Sequence, residues 1–208
     1  MPYRRTENVR RKLAARHDAI LTAARELASE GGIAAGTVYR YFPSKTALVA
    51  ELVAALAQSE IAALSKAADA APGPLSALAA AVATFGARAL ADRRLAFALI
   101  AEPVDRDVDD ARVKYRKALA GAFEARIRAA LAGGHLPDQD AGAAAAALVG
   151  ALIEGLIGPL APQNGDDPAK QRAAVQMLTL FGLRALGVVD ARARGLVVQT
   201  RIAGTSAQ

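Results

Sequence analysis

The stretch from position 33 to position 45, IAAGTVYRYFPSK, constrains the fold of this chain more than any other part. Its small residues favour a short helix that can enter a DNA major groove without clashing. Pro43 breaks that helix, and Ser44 is the predicted N-cap of a long helix whose free backbone N–H groups suit a phosphate. The stretch also supplies hydroxyls and cations, from Thr37, Tyr39, Arg40, Tyr41 and Lys45.

Positive charge is concentrated in the same part of the chain. Residues 1–45 hold nine Lys or Arg and four Asp or Glu, so they carry +5 of the formal net charge of +6. Such a basic segment is typical of a surface that binds phosphates. The chain has no cysteine, which excludes disulfide and thiolate chemistry. No apolar segment follows the first basic residues, so we expect a cytoplasmic protein without a signal peptide.

Apolar residues recur at helical spacing through most of the chain, and no run alternates as a strand does. With abundant alanine and few aromatic residues, this predicts an all-α protein. Predicted helices cover 11–30, 44–70, 75–91, 93–101, a stretch from Asp107 or Asp109 to 131, 141–160 and 168–187. Asp92, Asp138 and Pro168 mark predicted helix starts. We therefore expect an N-terminal head at 1–47, a body at 48–189 and a tail without a pattern at 190–208.

Two segments of the head carry a family resemblance. The string GTVYRYFPSK followed by ALVAEL resembles the recognition helix and the next helix of TetR-type (TetR/AcrR-like) transcriptional regulators. The earlier segment ILTAARELASEGG resembles the first helix of the same DNA-binding domain. The resemblance implies a homodimeric repressor that a small apolar ligand releases from a palindromic operator. Thr37, Tyr39, Tyr41 and Lys45 would contact phosphates, and Gly36, Tyr39 and Arg40 would lie near base edges.

The head departs from the family pattern in one respect. Members of the family place a second helix of about a dozen residues between the first helix and the recognition helix, whereas here Gly32 runs directly into Ile33. A helix-turn-helix needs that helix to hold its partner at the groove. Either the helix has been deleted, which we favour, or a segment is missing between these two residues. The deletion leaves an alternative function open: a dimeric helical ligand-binding or interaction protein with a disabled head.

The segment 141–160 is apolar on nearly all sides, and Glu154 is its one charged residue. A membrane span is rejected because Glu154 would lie unpaired at mid-membrane, glycines interrupt the segment, and both ends are acidic. A buried helix with an apolar partner is expected instead. In the TetR-type family the last two long helices form a four-helix dimer interface. That resemblance gives the expected interface residues Leu148, Leu152, Leu156, Leu178 and Phe181.

The body is expected to hold a ligand pocket, for which the candidate lining residues are Phe85, Phe97, Tyr115, Phe123 and Glu154, although plain core packing also explains the aromatic ones. Glu154 needs a partner if buried, such as Arg116, Arg184, a symmetry mate or a cationic ligand. His17 and His135 lack ligand-spaced neighbours, so no metal site is predicted. No nucleotide-binding or hydrolase motif is present, so neither an enzyme nor a cofactor is predicted.

Overall fold

A computed structural model describes residues 44–100, 106–162 and 167–200 of the chain. These ranges contain helices and no strand, which confirms the all-α prediction for the described part. The helices are α1 (Lys45–Asp69), α2 (Pro74–Ala91), α3 (Arg93–Ile100), α4 (Arg106–Ala132), α5 (Ala141–Leu156), α6 (Pro168–Ala185) and α7 (Asp190–Gln199). The described residues belong to two compact units. One comprises 44–52 and 106–111, and the other comprises 53–100, 112–162 and 167–200.

Side-chain caps set the starts of four helices. The Ser44 hydroxyl accepts a hydrogen bond from the Ala47 N–H at 3.0 Å, and Asp92 accepts one from Leu95 at 3.0 Å, which confirms both predicted caps. Asp167 caps α6 immediately before Pro168, as a proline at the first helical position favours. Helix α5 begins at Ala141 as predicted, but Asp140 rather than Asp138 caps it, accepting a hydrogen bond from the N–H of Ala143.

Glycines in the left-handed region end α4 and α6. Gly134 has φ 67° and Gly187 has φ 93°, and each closes its helix with the paired backbone hydrogen bonds of a Schellman motif. Gly187 also lies directly on Pro137, since a Cβ there would stand 2.5 Å from the proline Cγ. The Gln139 side chain joins the two ends by donating to the carbonyls of Pro137 and Leu186 at 3.1 and 2.9 Å.

The segment after α6 was wrongly predicted to be a tail without a pattern. Residues 190–199 form α7, in which Ala193 is fully buried and Leu196 and Val197 pack on the core. Asp190, the first residue of α7, accepts hydrogen bonds from Arg194 and Arg184, and these bonds lower the pKa of its carboxyl. The signal for this helix is weak in the sequence because its one fully buried residue is a small alanine, and only the folded body supplies the surface on which it packs.

Helix α2 lies at the centre of the larger unit. It buries residues on all sides, including Leu78, Val82 and Phe85, and its backbone packs closely against α3, α5, α6 and α7. A stripe at four-residue spacing on α4 joins the same core, with Tyr115, Leu119, Phe123 and Ile127 at 4, 0, 0 and 0% exposure.

Two helices of the described part, Thr46–Asp69 and Pro74–Ala91, are long and apolar enough to cross a membrane by length and composition. The second is α2, whose burial among four helices accounts for its composition. The segment that the sequence had raised as a possible span ends as a helix at Leu156 rather than at Leu160. Its 16 residues fall short of the roughly 20 that a helix needs to span a bilayer.

Candidate ligand-binding site

The residues expected to contact DNA fall almost entirely outside the described part of the chain. Lys45 is the first residue of α1, which places its backbone at the predicted helix start. The junction between Gly32 and Ile33, where the second head helix would belong, is also outside the described residues, as are Gly36, Thr37, Tyr39, Arg40 and Tyr41. These DNA contacts therefore stay predictions. The described residues include those predicted to line a ligand pocket in the body.

Three of the five predicted pocket residues lie in one apolar cluster of the body. Phe85 on α2 is 1% exposed, and Tyr115 and Phe123 lie on the buried stripe of α4. Phe97 on α3 is partly exposed. The Tyr115 hydroxyl is buried and makes no hydrogen bond to any residue that the structure describes. Since a buried hydroxyl without a partner is costly, this oxygen is the atom of the cluster most suited to a ligand.

An ion pair that the sequence analysis missed acts on the Tyr115 hydroxyl. Arg88 on α2 donates from Nε and Nη2 to the Glu60 carboxylate on α1 at 2.7–2.9 Å. These hydrogen bonds raise the pKa of Arg88. The pKa of Tyr115 is raised mainly by burial and further by the negative charge of Glu60, while the charge of Arg88 opposes the rise.

A signal for this pair was present in the sequence. Arg88 is the one charged residue in the sequence of α2, just as Glu154 is in that of α5. A lone charge on an apolar helix indicates a buried partner or a functional role. The sequence analysis applies this argument to Glu154 alone. Applied to Arg88, it would have indicated the ion pair with Glu60.

The Glu154 carboxylate contacts the turn that follows α5. Its Oε1 accepts a hydrogen bond from the Leu160 backbone N–H at 3.0 Å, and its carboxylate lies so close to Gly158 that a Cβ there would come within 2.6 Å. Its proposed partners are engaged elsewhere: Arg116 donates to the Ile100 carbonyl at 2.7 Å, and Arg184 pairs with Asp190. Glu154 therefore shapes the turn that follows α5.

The five residues expected at a dimer interface differ in how far they are exposed in the single chain. Leu148, Leu152 and Leu156 on α5 are 4, 1 and 2% exposed within the single chain, so they pack in its own core. Leu178 on α6 is partly buried against Gly155 of α5. Phe181 is 53% exposed, and Met177, one turn before it on α6, is 56% exposed. We call Met177 and Phe181 the α6 apolar face.

Helix α5 has an exposed face of a different kind. Four small residues at helical spacing are open to solvent there, namely Ala143, Ala146, Ala147 and Gly150. Small side chains allow a second helix to approach the backbone closely. The surfaces of α5 and α6 that remain for a partner are therefore these small residues and the α6 apolar face, not the buried leucines.

The N-terminal part of the chain matches a known family. The family model described as bacterial regulatory proteins, tetR family, matches residues 11–52, a range that contains every residue expected to contact DNA. No curated protein matches the chain.

Solved structures of similar fold cover most of the chain. RolR in complex with resorcinol is 21% identical, covering 93% of this chain and 99% of that one at a TM-score of 0.61. RolR without ligand is 19% identical, with coverages of 86% and 88% and a TM-score of 0.59. A bacterial regulatory protein in the tetR family from Rhodococcus RHA1 is 21% identical, with coverages of 89% and 100% and a TM-score of 0.56.

These matches confirm the resemblance to TetR-type regulators. The fold of the body is the one found in solved proteins of that type, and the head segment matches the family model directly. The matched family consists of DNA-binding regulators, which agrees with the prediction that the chain is not an enzyme.

Proposed function

We propose that this chain, which has the fold of a TetR-type regulator, acts in the cytoplasm as a homodimeric transcriptional repressor. In this proposal it leaves a palindromic operator when a small apolar ligand enters the body. The observation that carries the proposal is the family match over residues 11–52, which joins the basic head to a body of the same fold class. Two heads of a dimer would read adjacent major grooves of the operator.

The proposed DNA contacts divide into phosphate and base contacts. Thr37, Tyr39, Tyr41 and Lys45 would bind phosphates, and the +5 charge of residues 1–45 supports a phosphate-binding surface. Gly36, Tyr39 and Arg40 would approach base edges, where an arginine commonly reads guanine. These assignments rest on the family motif and on the match across this segment.

The proposed dimer uses α5 and α6. The α6 apolar face leaves two large side chains more than half exposed, and α5 presents a row of small residues. A monomer gains nothing by exposing apolar side chains to water, whereas a partner helix would bury them. An isologous contact would use the same residues from both protomers.

The proposed ligand binds in the body near Tyr115. A buried hydroxyl among aromatic and aliphatic side chains resembles the usual composition of a small-molecule site, in which a few polar groups orient an apolar ligand. One of the similar structures is a complex with resorcinol, a small aromatic compound, which supports a ligand of that size here. Binding would shift the population of head spacings that fit the operator.

Mobility shift on the promoter beside the gene tests DNA binding, with salt as the variable. Affinity should fall steeply as salt rises, because Lys and Arg displace condensed counterions. Lys45→Ala should flatten the logarithmic salt slope by roughly one unit. Lys66→Ala is the matched control, since Lys66 is exposed in the last turn of the same helix, and it should leave the slope unchanged. Affinity that ignores salt would contradict a basic DNA-binding head.

A second candidate function is favoured by the direct junction of Gly32 and Ile33. If the second head helix is missing, the chain is a dimeric ligand-binding or interaction protein with a disabled head. Base contacts need tightly held side chains, whereas phosphate contacts tolerate loose ones. Weak, salt-sensitive binding with no preference for the operator over random DNA would favour this candidate, and tight selective binding would exclude it.

A further inference from the structure

The buried hydroxyl of Tyr115 poses a chemical question that core packing alone does not answer. Tyr115 is 4% exposed, and its oxygen has no hydrogen-bond partner among the residues that the structure describes. A buried hydroxyl in that position destabilises the fold relative to one that has a hydrogen-bond partner. Phenylalanine would fill the same place on the α4 stripe without this penalty, so the hydroxyl serves something other than packing.

The groups around this hydroxyl define what could bind it. The rest of the α4 stripe is apolar, with Leu119 and Phe123 completely buried. The charged groups that act on the hydroxyl are Glu60 and Arg88, which already bind each other through three contacts of 2.7–2.9 Å. The site is therefore apolar, with one neutral donor and one neutralised ion pair beside it.

The ion pair that acts on this hydroxyl joins Arg88 of α2 to Glu60 of α1 and is partly open to solvent. The side chains of these two residues are 41% and 21% exposed. Ion pairs open to solvent contribute little to stability, so this pair can part without unfolding the body.

We propose that Tyr115 is the hydrogen-bonding residue of a ligand subsite that takes a small, neutral, hydroxyl-bearing molecule with an apolar frame. This inference rests on the proposed function, which places a ligand in the body. The ligand hydroxyl would accept a hydrogen bond from Tyr115 and could donate one to the Glu60 carboxylate. A charged ligand is disfavoured at this hydroxyl because the two charges that act on it, Glu60 and Arg88, neutralise each other.

Ligand-observed NMR titration of the whole protein without DNA tests the proposal, with phenol, toluene and benzoate as probes. Phenol and toluene have nearly the same size and differ by the hydroxyl. Phenol should bind at least about tenfold more tightly than toluene, and Tyr115→Phe should remove that advantage while leaving toluene affinity unchanged. Equal binding of phenol and toluene by the natural protein would overturn the proposal, and so would binding of none of the probes. Tightest binding of benzoate would overturn the neutral class.

A matched control comes from the buried hydroxyl of Thr179 on α6, which donates to the Val175 carbonyl at 2.8 Å. Thr179→Val also removes one buried hydroxyl and should leave phenol affinity unchanged. Without ligand, Tyr115→Phe should not lower the melting temperature, because the described part of the chain gives this hydroxyl no hydrogen bond to lose. A lower melting temperature together with unchanged phenol affinity would assign the hydroxyl to a bound water or to the fold, and the proposal would fail. Salt-dependent DNA binding that persists in that case would leave the proposed regulator intact.

Discussion

Truncation of Phe181 is the sharpest test of the proposed dimer. A phenylalanine side chain buries about 150–250 Å² when it is fully covered. Phe181 is 53% exposed in the single chain, so roughly 100 Å² remains for a partner to cover. At about 25 cal/mol per Å², this corresponds to about 2.5 kcal/mol for each copy of Phe181→Ala. A two-fold dimer contains the residue twice, so the dissociation constant should rise by roughly three to four powers of ten.

Sedimentation equilibrium over a range of protein concentrations measures this change directly. The natural chain should sediment as a dimer, and Phe181→Ala should dissociate into monomers that keep the helical circular dichroism of the natural protein. Val198→Ala is the control, because Val198 is 81% exposed on α7 and does not belong to the α6 apolar face. A natural chain that stays monomeric at high concentration would refute the reasoning, as would a Phe181→Ala variant that dimerises normally.

Substitutions on α5 that look equivalent from the sequence would not test the dimer. The family resemblance gives Leu152 and Leu156 as interface residues, so arginine at either position would be an obvious test of the dimer. Both leucines are buried inside the protomer at 1 and 2% exposure, so a charge there would unfold the chain itself. Monomers or aggregates of these variants would report on the stability of the core and not on association.

Two further predictions concern the body. Burial holds the Tyr115 pKa above its ordinary value of 10.0, so above about pH 10 the unfolded chain loses this proton while the folded chain keeps it. As the pH rises above about 10, the free energy of unfolding of the natural protein should fall by about 1.4 kcal/mol per pH unit relative to that of Tyr115→Phe. Urea unfolding at a series of pH values measures both, and parallel curves for the two proteins would contradict this. Gly187→Ala should lower the melting temperature more than Gly134→Ala. Both glycines have positive φ, but only the first would push a Cβ to 2.5 Å from Pro137, and equal losses would contradict the assigned contact.

The helix starts could be read from the sequence because their causes are local. Ser44 and Asp92 each bond a backbone N–H three residues ahead, and Pro168 suits the first turn, so neighbouring residues contain the whole signal. Asp138 and Asp140 are both acceptable caps on that criterion, and only the folded turn selects the second. Helix α7 was missed for the opposite reason, since its stability comes from docking Ala193 on a distant surface.

The candidate site depended on contacts that sequence spacing does not encode. Tyr115 was predicted as a pocket residue, but its missing hydrogen bond is visible only once its neighbours are placed. Glu60 and Arg88 are separated by 28 residues, and no periodicity links them. The leucines of α5 illustrate the same limit, because an apolar pattern indicates burial without saying whether the covering surface belongs to the same chain or to a partner.

The two proposed functions share the body, so tests on the body cannot separate them. Dimer formation through Phe181 and ligand binding at Tyr115 would hold for a repressor and for a ligand-binding protein with a disabled head. The difference lies at the junction of Gly32 and Ile33, where a supporting helix would fix the recognition helix against base edges. Insertion of an amphipathic helix of about a dozen residues there should raise the preference for the operator over random DNA, because base contacts set that preference. The salt dependence of DNA affinity should stay nearly unchanged, because phosphate contacts set it. Gain of selectivity would assign the defect to that junction, whereas a natural chain that is already selective would show that its head needs no such support.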